Sequence, residues 1–259
     1  MIVGSIKEDI SLEKRVSITP ETAKNIIALG LSVNLEKNYA VHLGIKDKQY
    51  EEIGVKFYSS SKEVINNCSL ILKVNCPTNE ESKDLKEETI LVGIFNPSKN
   101  KDKLKKVLEK NINVFSLELL PRISRAQSMD VLSSQSNLAG YRAVIESIYE
   151  FEKAVPMMMT AAGTVPAAKV LVIGAGVAGL QAIATAKRLG AIVSATDVRA
   201  ASKEQVESLG GKFLTVEQEE NLETKGGYAK EASEEFKKKQ ANLLKEAMIK
   251  NDIVICTAL

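Results

Sequence analysis

The sequence predicts an α/β protein built on two doubly wound, mostly parallel sheets, and three observations carry that prediction. Short β-branched runs alternate with amphipathic helical stretches along most of the chain, as βαβ units require. Residues 168–198 compress an apolar strand, a glycine turn, a small-residue helix and a second strand into about thirty residues. The 259 residues, 44% apolar and 26% charged, suffice for two well-filled globular cores.

Each element has its own signal. "IVGSI" (2–6) is a strand. Over 19–30 a helix is marked by Thr19 as N-cap, Pro20 at the first helical position and Gly30 after the last turn. "LSVNLE" (31–36) is a strand and "KQYEEIG" (48–54) a short helix; "SLILKVN" (69–75) and "TILVGIF" (89–95) are further strands. A helix over 101–110 and strand "INVFSLE" (112–118) follow. Leu138, Tyr141, Val144, Ile148 and Phe151 then pattern a longer helix over about 133–152 that joins two domains, 1–132 and 133–259. In the second, strand "KVLVI", a helix and a second strand precede the polar stretch 216–231, helix 233–251 and a closing strand "DIVICTAL". A hydrophobic strand at the last residue leads us to expect that some of the second sheet is missing at the C-terminus.

Composition excludes several classes. With 35 basic and 33 acidic residues there is no nucleic-acid field, and the lysine runs at 99–110 and 234–240 are interleaved with acids, as on a solvated helix face. Cys68, Cys76 and Cys256 form no CxxC pair, which indicates reduced thiols in a cytoplasmic compartment. His42 is the sole histidine, so no histidine-based metal site is expected. The N-terminus lacks the pattern of a signal peptide, and the most apolar segment, 170–186, is too short to span a membrane.

Gly174, Gly176 and Gly179 form GxGxxG between a strand and a helix, and Asp197 ends the next strand, 18 residues after Gly179. That is close to the roughly 20-residue spacing of a Rossmann-like dinucleotide site. Gly174 permits the tight turn, Gly176 lets the backbone approach a pyrophosphate, and Gly179 allows close helix–strand packing. The helix N-terminus offers free N–H groups to the phosphates. Asp197 is placed to accept hydrogen bonds from a ribose, which favours NAD(H) over NADP(H), although Arg199 beside it suits a 2′-phosphate.

A second polar cluster, "RISRAQSMD" (122–130), precedes the long helix. It fits either a helix-initiating loop, with Asp130 or Ser133 as cap, or a grip for the nicotinamide end of a dinucleotide. Here a resemblance enters. The segments "PRISRAQSMDVLSSQSNLAGYRAV" (121–144), 174–213 and "GGYAKE" (226–231) resemble the NAD(H)-binding components of the proton-translocating nicotinamide nucleotide transhydrogenases. The wider family includes alanine dehydrogenases, and the likeness runs from "EKRVSITP" (13–20) to the last residue.

The resemblance implies that Arg122, Gln127, Asp130 and Ser133 contact the nicotinamide and its ribose and aim the hydride, with Ile123, Ser124 and Arg125 in the same loop. It puts Val172 and Val177 around the glycine turn, Asp197, Val198 and Arg199 on the adenosine side, and Gly227 and Tyr228 in a mobile loop over bound nucleotide. It further implies a homodimer, an NADP(H)-binding partner subunit and a transmembrane subunit through which alone the chain meets the cytoplasmic face of the inner membrane.

Alanine dehydrogenases need a lysine and a histidine beside their keto acid. The matching positions here are Asn75 and Asn96, neither a general base at neutral pH, while Arg15 remains where a substrate carboxylate would bind. Transfer between two nicotinamides needs positioning and desolvation rather than acid–base groups, so the absences favour transhydrogenase. The alternatives are an alanine dehydrogenase-like enzyme and an NAD-binding regulatory module.

Overall fold

The computed structural model describes residues 1–121, 123–199, 201–216 and 233–258, the side chain of Phe236 excepted. The chain divides into two compact units, Met1–Asp130 and Val131–Leu259.

The first unit alternates strand and helix: β1 (Ile2–Ser5), α1 (Pro20–Ala28), β2 (Ser32–Glu36), α2 (Asp47–Glu51), β3 (Lys56–Tyr58), α3 (Ser61–Asn66), β4 (Leu70–Leu72), α4 (Asn79–Asp84), β5 (Ile90–Gly93), α5 (Lys101–Leu108) and β6 (Asn113–Ser116). The strands form one parallel sheet in the order β3-β2-β1-β4-β5-β6. Strand order reverses between β1 and β4, the topological switch point of a doubly wound sheet. Two buried clusters cover its faces: Val3, Val33 and Leu35 pack with Ala23 of α1 and Tyr50 of α2. Ile71 and Leu91 pack with Val64 and Ile65 of α3 and Leu104 and Val107 of α5. Each of these valine, leucine and isoleucine side chains stabilises the fold by about 1.5–3 kcal/mol on burial.

Local chemistry explains the helix starts. Thr19 Oγ1 accepts the Thr22 N–H at 3.2 Å, and Gly30 takes φ +79° after the last turn of α1. The expected strands and helices form here with shorter bounds, and β3, α3 and α4 add to them. Alpha-4 begins with a capping box: Thr78 Oγ1 accepts the Glu81 N–H at 3.2 Å while Glu81 Oε2 accepts that of Thr78 at 2.8 Å.

The second unit opens with α6 (Val131–Glu150), then an antiparallel hairpin of β7 (Met158–Thr160) and β8 (Gly163–Val165). Next come β9 (Lys169–Ile173), α7 (Val177–Arg188), β10 (Ile192–Thr196), α8 (Ser202–Ser208), β11 (Lys212–Phe213), α9 (Glu234–Lys250) and β12 (Ile253–Cys256). Its sheet is parallel, ordered β11-β10-β9-β12, with the switch point between β9 and β12. The Leu171 and Val172 side chains of β9 are wholly buried, as a central parallel strand demands. Alpha-6 lies against α7 so closely that a Cβ on Gly140 would stand 2.0 Å from the Ala178 carbonyl oxygen. No described helix is long and apolar enough to cross a membrane.

Candidate functional site

The glycine turn sits where β9 hands over to α7, at the switch point of the second sheet. Gly174 adopts φ +93°, a left-handed conformation that favours glycine, and its N–H donates to the Thr196 carbonyl at 2.8 Å. Gly179 leaves no room for a side chain: a Cβ there would lie 1.8 Å from the Gly174 carbonyl oxygen. Gly176, the N-cap of α7, faces open space instead, with only Arg199 Nη2 reaching 4.0 Å from a Cβ built on it. The first turn of any α-helix leaves N–H groups without intrahelical carbonyls, and the dipole makes that end attractive to anions. An open Gly176 above such an end fits a pyrophosphate.

Asp197 follows β10, and only 6% of its side chain is exposed. Its Oδ2 accepts the Ala175 N–H of the glycine turn at 2.7 Å, so the acid and the turn form one hydrogen-bonded piece. Arg199 forks onto the same carboxylate, Nε to Oδ1 and Nη2 to Oδ2, both at 2.8 Å, and its backbone N–H adds a bond to Oδ1 at 2.9 Å. Burial pushes the Asp197 carboxyl up, but these N–H donors and the guanidinium charge outweigh it, and the group lies below the usual carboxylate range. Val177 is exposed at the start of α7, whereas the buried Val172 presents no side-chain surface to a ligand.

A support that the motif alone does not reveal is Thr257, just beyond β12. Its hydroxyl donates to the Gly174 carbonyl at 2.9 Å, and its N–H to that of Ile173 at 2.8 Å. Gly140 likewise acts from a distance, by setting how near α6 comes to the first turn of α7. Neither had a local signal in the sequence, since both matter only through contacts that folding creates.

The polar cluster ends the first unit. Residues Ser124–Met129 form a 3₁₀ helix, in which side chains three apart align, so Ser124 and Gln127 share a row. Ala126 is buried and Gln127 exposed. Asp130 stands immediately before α6 and Ser133 lies in its first turn. Arg125 and Ile123 are exposed. Arg122, Gly227 and Tyr228 lie outside the described residues.

At the first sheet's switch point the residues are committed to one another. Lys73, with 4% of its side chain exposed, meets Glu81 at 2.9 Å and Glu8 at 3.6 Å. Glu8 also accepts the Val74 N–H at 2.8 Å. Arg15 forks onto Glu13, Nε to Oε1 at 2.8 Å and Nη2 to Oε2 at 2.6 Å. Asn75 is exposed, and Asn96 takes φ +45° in a turn where its Oδ1 accepts the Ser98 hydroxyl at 2.9 Å. Among the described residues no group of three or more histidine, cysteine or acidic side chains is placed to hold a metal ion.

A family model of the alanine dehydrogenase/PNT N-terminal domain matches residues 4–139, and one of its C-terminal domain matches residues 143–259. The chain belongs to the alanine dehydrogenase/PNT family. It is 53% identical to an NAD(P) transhydrogenase subunit alpha polypeptide of Rhodospirillum rubrum, over all of this chain and 69% of that protein. The crystal structure of transhydrogenase from Sinorhizobium meliloti superposes with a TM-score of 0.87 at 44% identity, covering all of this chain and 70% of that one. An L-alanine dehydrogenase shares the fold, with a TM-score of 0.73 at 21% identity over 82% of this chain and 60% of its own. Both parallel sheets are thus those of the alanine dehydrogenase/PNT fold.

Proposed function

We propose that this chain is the NAD(H)-binding component of a proton-translocating transhydrogenase, an oxidoreductase subunit that exchanges hydride with NADP(H) held by a partner. What carries the proposal is the pairing of a complete dinucleotide turn with an absent acid–base set: Asn75 and Asn96 stand at the dehydrogenase positions, and Arg15 is forked onto Glu13. Alanine dehydrogenase chemistry must move a proton as well as a hydride, and none of these groups serves as its base.

In this reading the α7 N-terminus and Gly176 receive the pyrophosphate, and Asp197 orients the adenosine ribose, with Val198 and Arg199 beside it. Val172 supplies only backbone there, since its side chain is buried. The nicotinamide, when bound, supplies the hydride at its C4. Gln127, Asp130 and Ser133 hold the nicotinamide and its ribose by hydrogen bonds, with Arg122, Ile123, Ser124 and Arg125 completing the loop. The resemblance adds Gly227 and Tyr228 to the nucleotide contacts. No side chain of this set exchanges a proton with substrate, so its contribution is orientation and exclusion of water.

The N-terminal domain (1–132) and the NAD(H)-binding domain (133–259) form one protomer of a homodimer. The exposed hairpin, with Met158, Met159 and Val165 on its surface, supports self-association, because an isolated two-stranded hairpin is marginal in water. Coupling to proton movement belongs to a transmembrane partner, which also holds the chain at the membrane's cytoplasmic face. NADH fluorescence should report binding, and Asp197→Ala should weaken it by about tenfold or more, the worth of charge-assisted hydrogen bonds. With the NADP(H)-binding and membrane subunits added, reduction of an NADP⁺ analogue by NADH tests the reaction. Turnover of NADH with pyruvate and ammonia would sink the proposal in favour of a dehydrogenase.

A further inference from the structure

The Asp197 carboxylate has no acceptor position left. A carboxylate offers about four lone-pair directions. Here Oδ1 takes the Arg199 backbone N–H and Nε at 2.9 and 2.8 Å, while Oδ2 takes the Ala175 N–H and Arg199 Nη2 at 2.7 and 2.8 Å. Two of the four donors are backbone groups, fixed by the glycine turn and by the bend after β10. The other two belong to one side chain that is 24% exposed. A ribose diol that is to donate to Asp197 must therefore displace Arg199 from at least one oxygen.

The same fork cancels the negative charge that would repel a 2′-phosphate. Asp197 alone would present a buried anion to that phosphate; the pair presents a guanidinium lying beside Gly176, its Nη2 within 4.0 Å of a Cβ built there. A planar fork of this kind matches phosphate as readily as carboxylate.

We infer that Arg199 is a specificity-determining latch: it competes with the ribose of NAD(H) for Asp197 and, when drawn off, becomes the ligand of a 2′-phosphate. Nucleotide choice at this site is then set by the strength of the Asp197–Arg199 ion pair and not by the acid alone. The inference rests on the reading of the glycine turn as a dinucleotide site.

The test compares dissociation constants of the unaltered chain, Arg199→Ala and Arg199→Lys for NADH and NADPH by nucleotide fluorescence, and for 5′-AMP and adenosine 2′,5′-bisphosphate by calorimetry. In Arg199→Ala, affinity for the two 2′-phosphorylated ligands should fall about tenfold to a hundredfold, the worth of a charge-assisted contact. NADH and 5′-AMP should bind about two- to fivefold more tightly, as expected for removal of a partly exposed ion-pair competitor. Arg199→Lys keeps the charge but not the fork, so it should restore some of the 2′-phosphate affinity while keeping the gain for NADH. Thermal unfolding of each variant establishes that it is folded, and the lysine variant serves if the alanine one is not. Equal losses for NADH and NADPH, or no change in either, overturn the latch and leave the dinucleotide site standing. Failure of the unaltered chain to bind any of the four ligands overturns the site and the latch together.

Discussion

Asp197 and Glu13 are both carboxylates held by a neighbouring arginine, and both lie below the usual carboxylate range. For Glu13 the hydrogen bonds from Arg15 are the leading cause; for Asp197, burial opposes the shift and the donors around it prevail. A depressed native value adds stability that is complete above the unfolded value, about 3.9 for Asp and 4.3 for Glu, and is lost as pH falls through the native one. Acid should therefore weaken the protein below about pH 4, and Asp197→Asn should flatten that decline. Urea unfolding at a series of pH values checks this, and an unchanged slope would remove Asp197 from the acid response. At the nicotinamide end, Gln127→Ala should slow hydride transfer about tenfold with little effect on NADH affinity, since it removes an aiming contact. Stopped-flow transfer to an NADP⁺ analogue, with partner subunits present, measures it; an unchanged rate would discharge Gln127 from that role. Asp197 itself was legible from its place 18 residues past Gly179, whereas its fork with Arg199 was not. Two residues of opposite charge at i and i+2 pair in some backbone conformations and not in others, and sequence spacing does not report which is adopted.

Elements with strong punctuation could be read directly. Alpha-1 carries Thr19, Pro20 and Gly30 at its ends, and the β9–α7–β10 unit carries the glycine turn. Some of three to six residues could not: β3, α3, α4 and the β7–β8 hairpin are too short to display a period. Helix-to-helix distance was equally hidden. Gly140 occupies the interior of α6, where glycine is normally a cost of about 1 kcal/mol relative to alanine. Its close approach to Ala178 reverses that sign. Gly140→Ala should push α6 off the start of α7, lowering stability by about 1–3 kcal/mol through overpacking and weakening nucleotide binding with it. A melting temperature at or above that of the unaltered chain would show that the two helices tolerate the extra methyl.

At the scale of the molecule, two α/β units with the same architecture hold their switch points in opposite conditions. That of the first is filled by Lys73 with Glu8 and Glu81, while the second presents an open glycine turn. From the exposed hairpin of the second unit, sedimentation should give a particle of twice the 28.2 kDa chain mass, and Met158→Asp there should return it to one; a monomer in the unaltered protein would exclude the homodimer. The position of β12 has a kinetic consequence as well. Thr257 and Gly174, which its docking joins, are separated by 83 residues along the chain, whereas β9 and β10 close a short local unit. Loops that long close late, because their entropy must be overcome before their contacts reward it. During synthesis the glycine turn therefore waits, unbraced, for β12 to arrive, and on the proposed function a refolding chain should regain NADH binding only in its slowest phase.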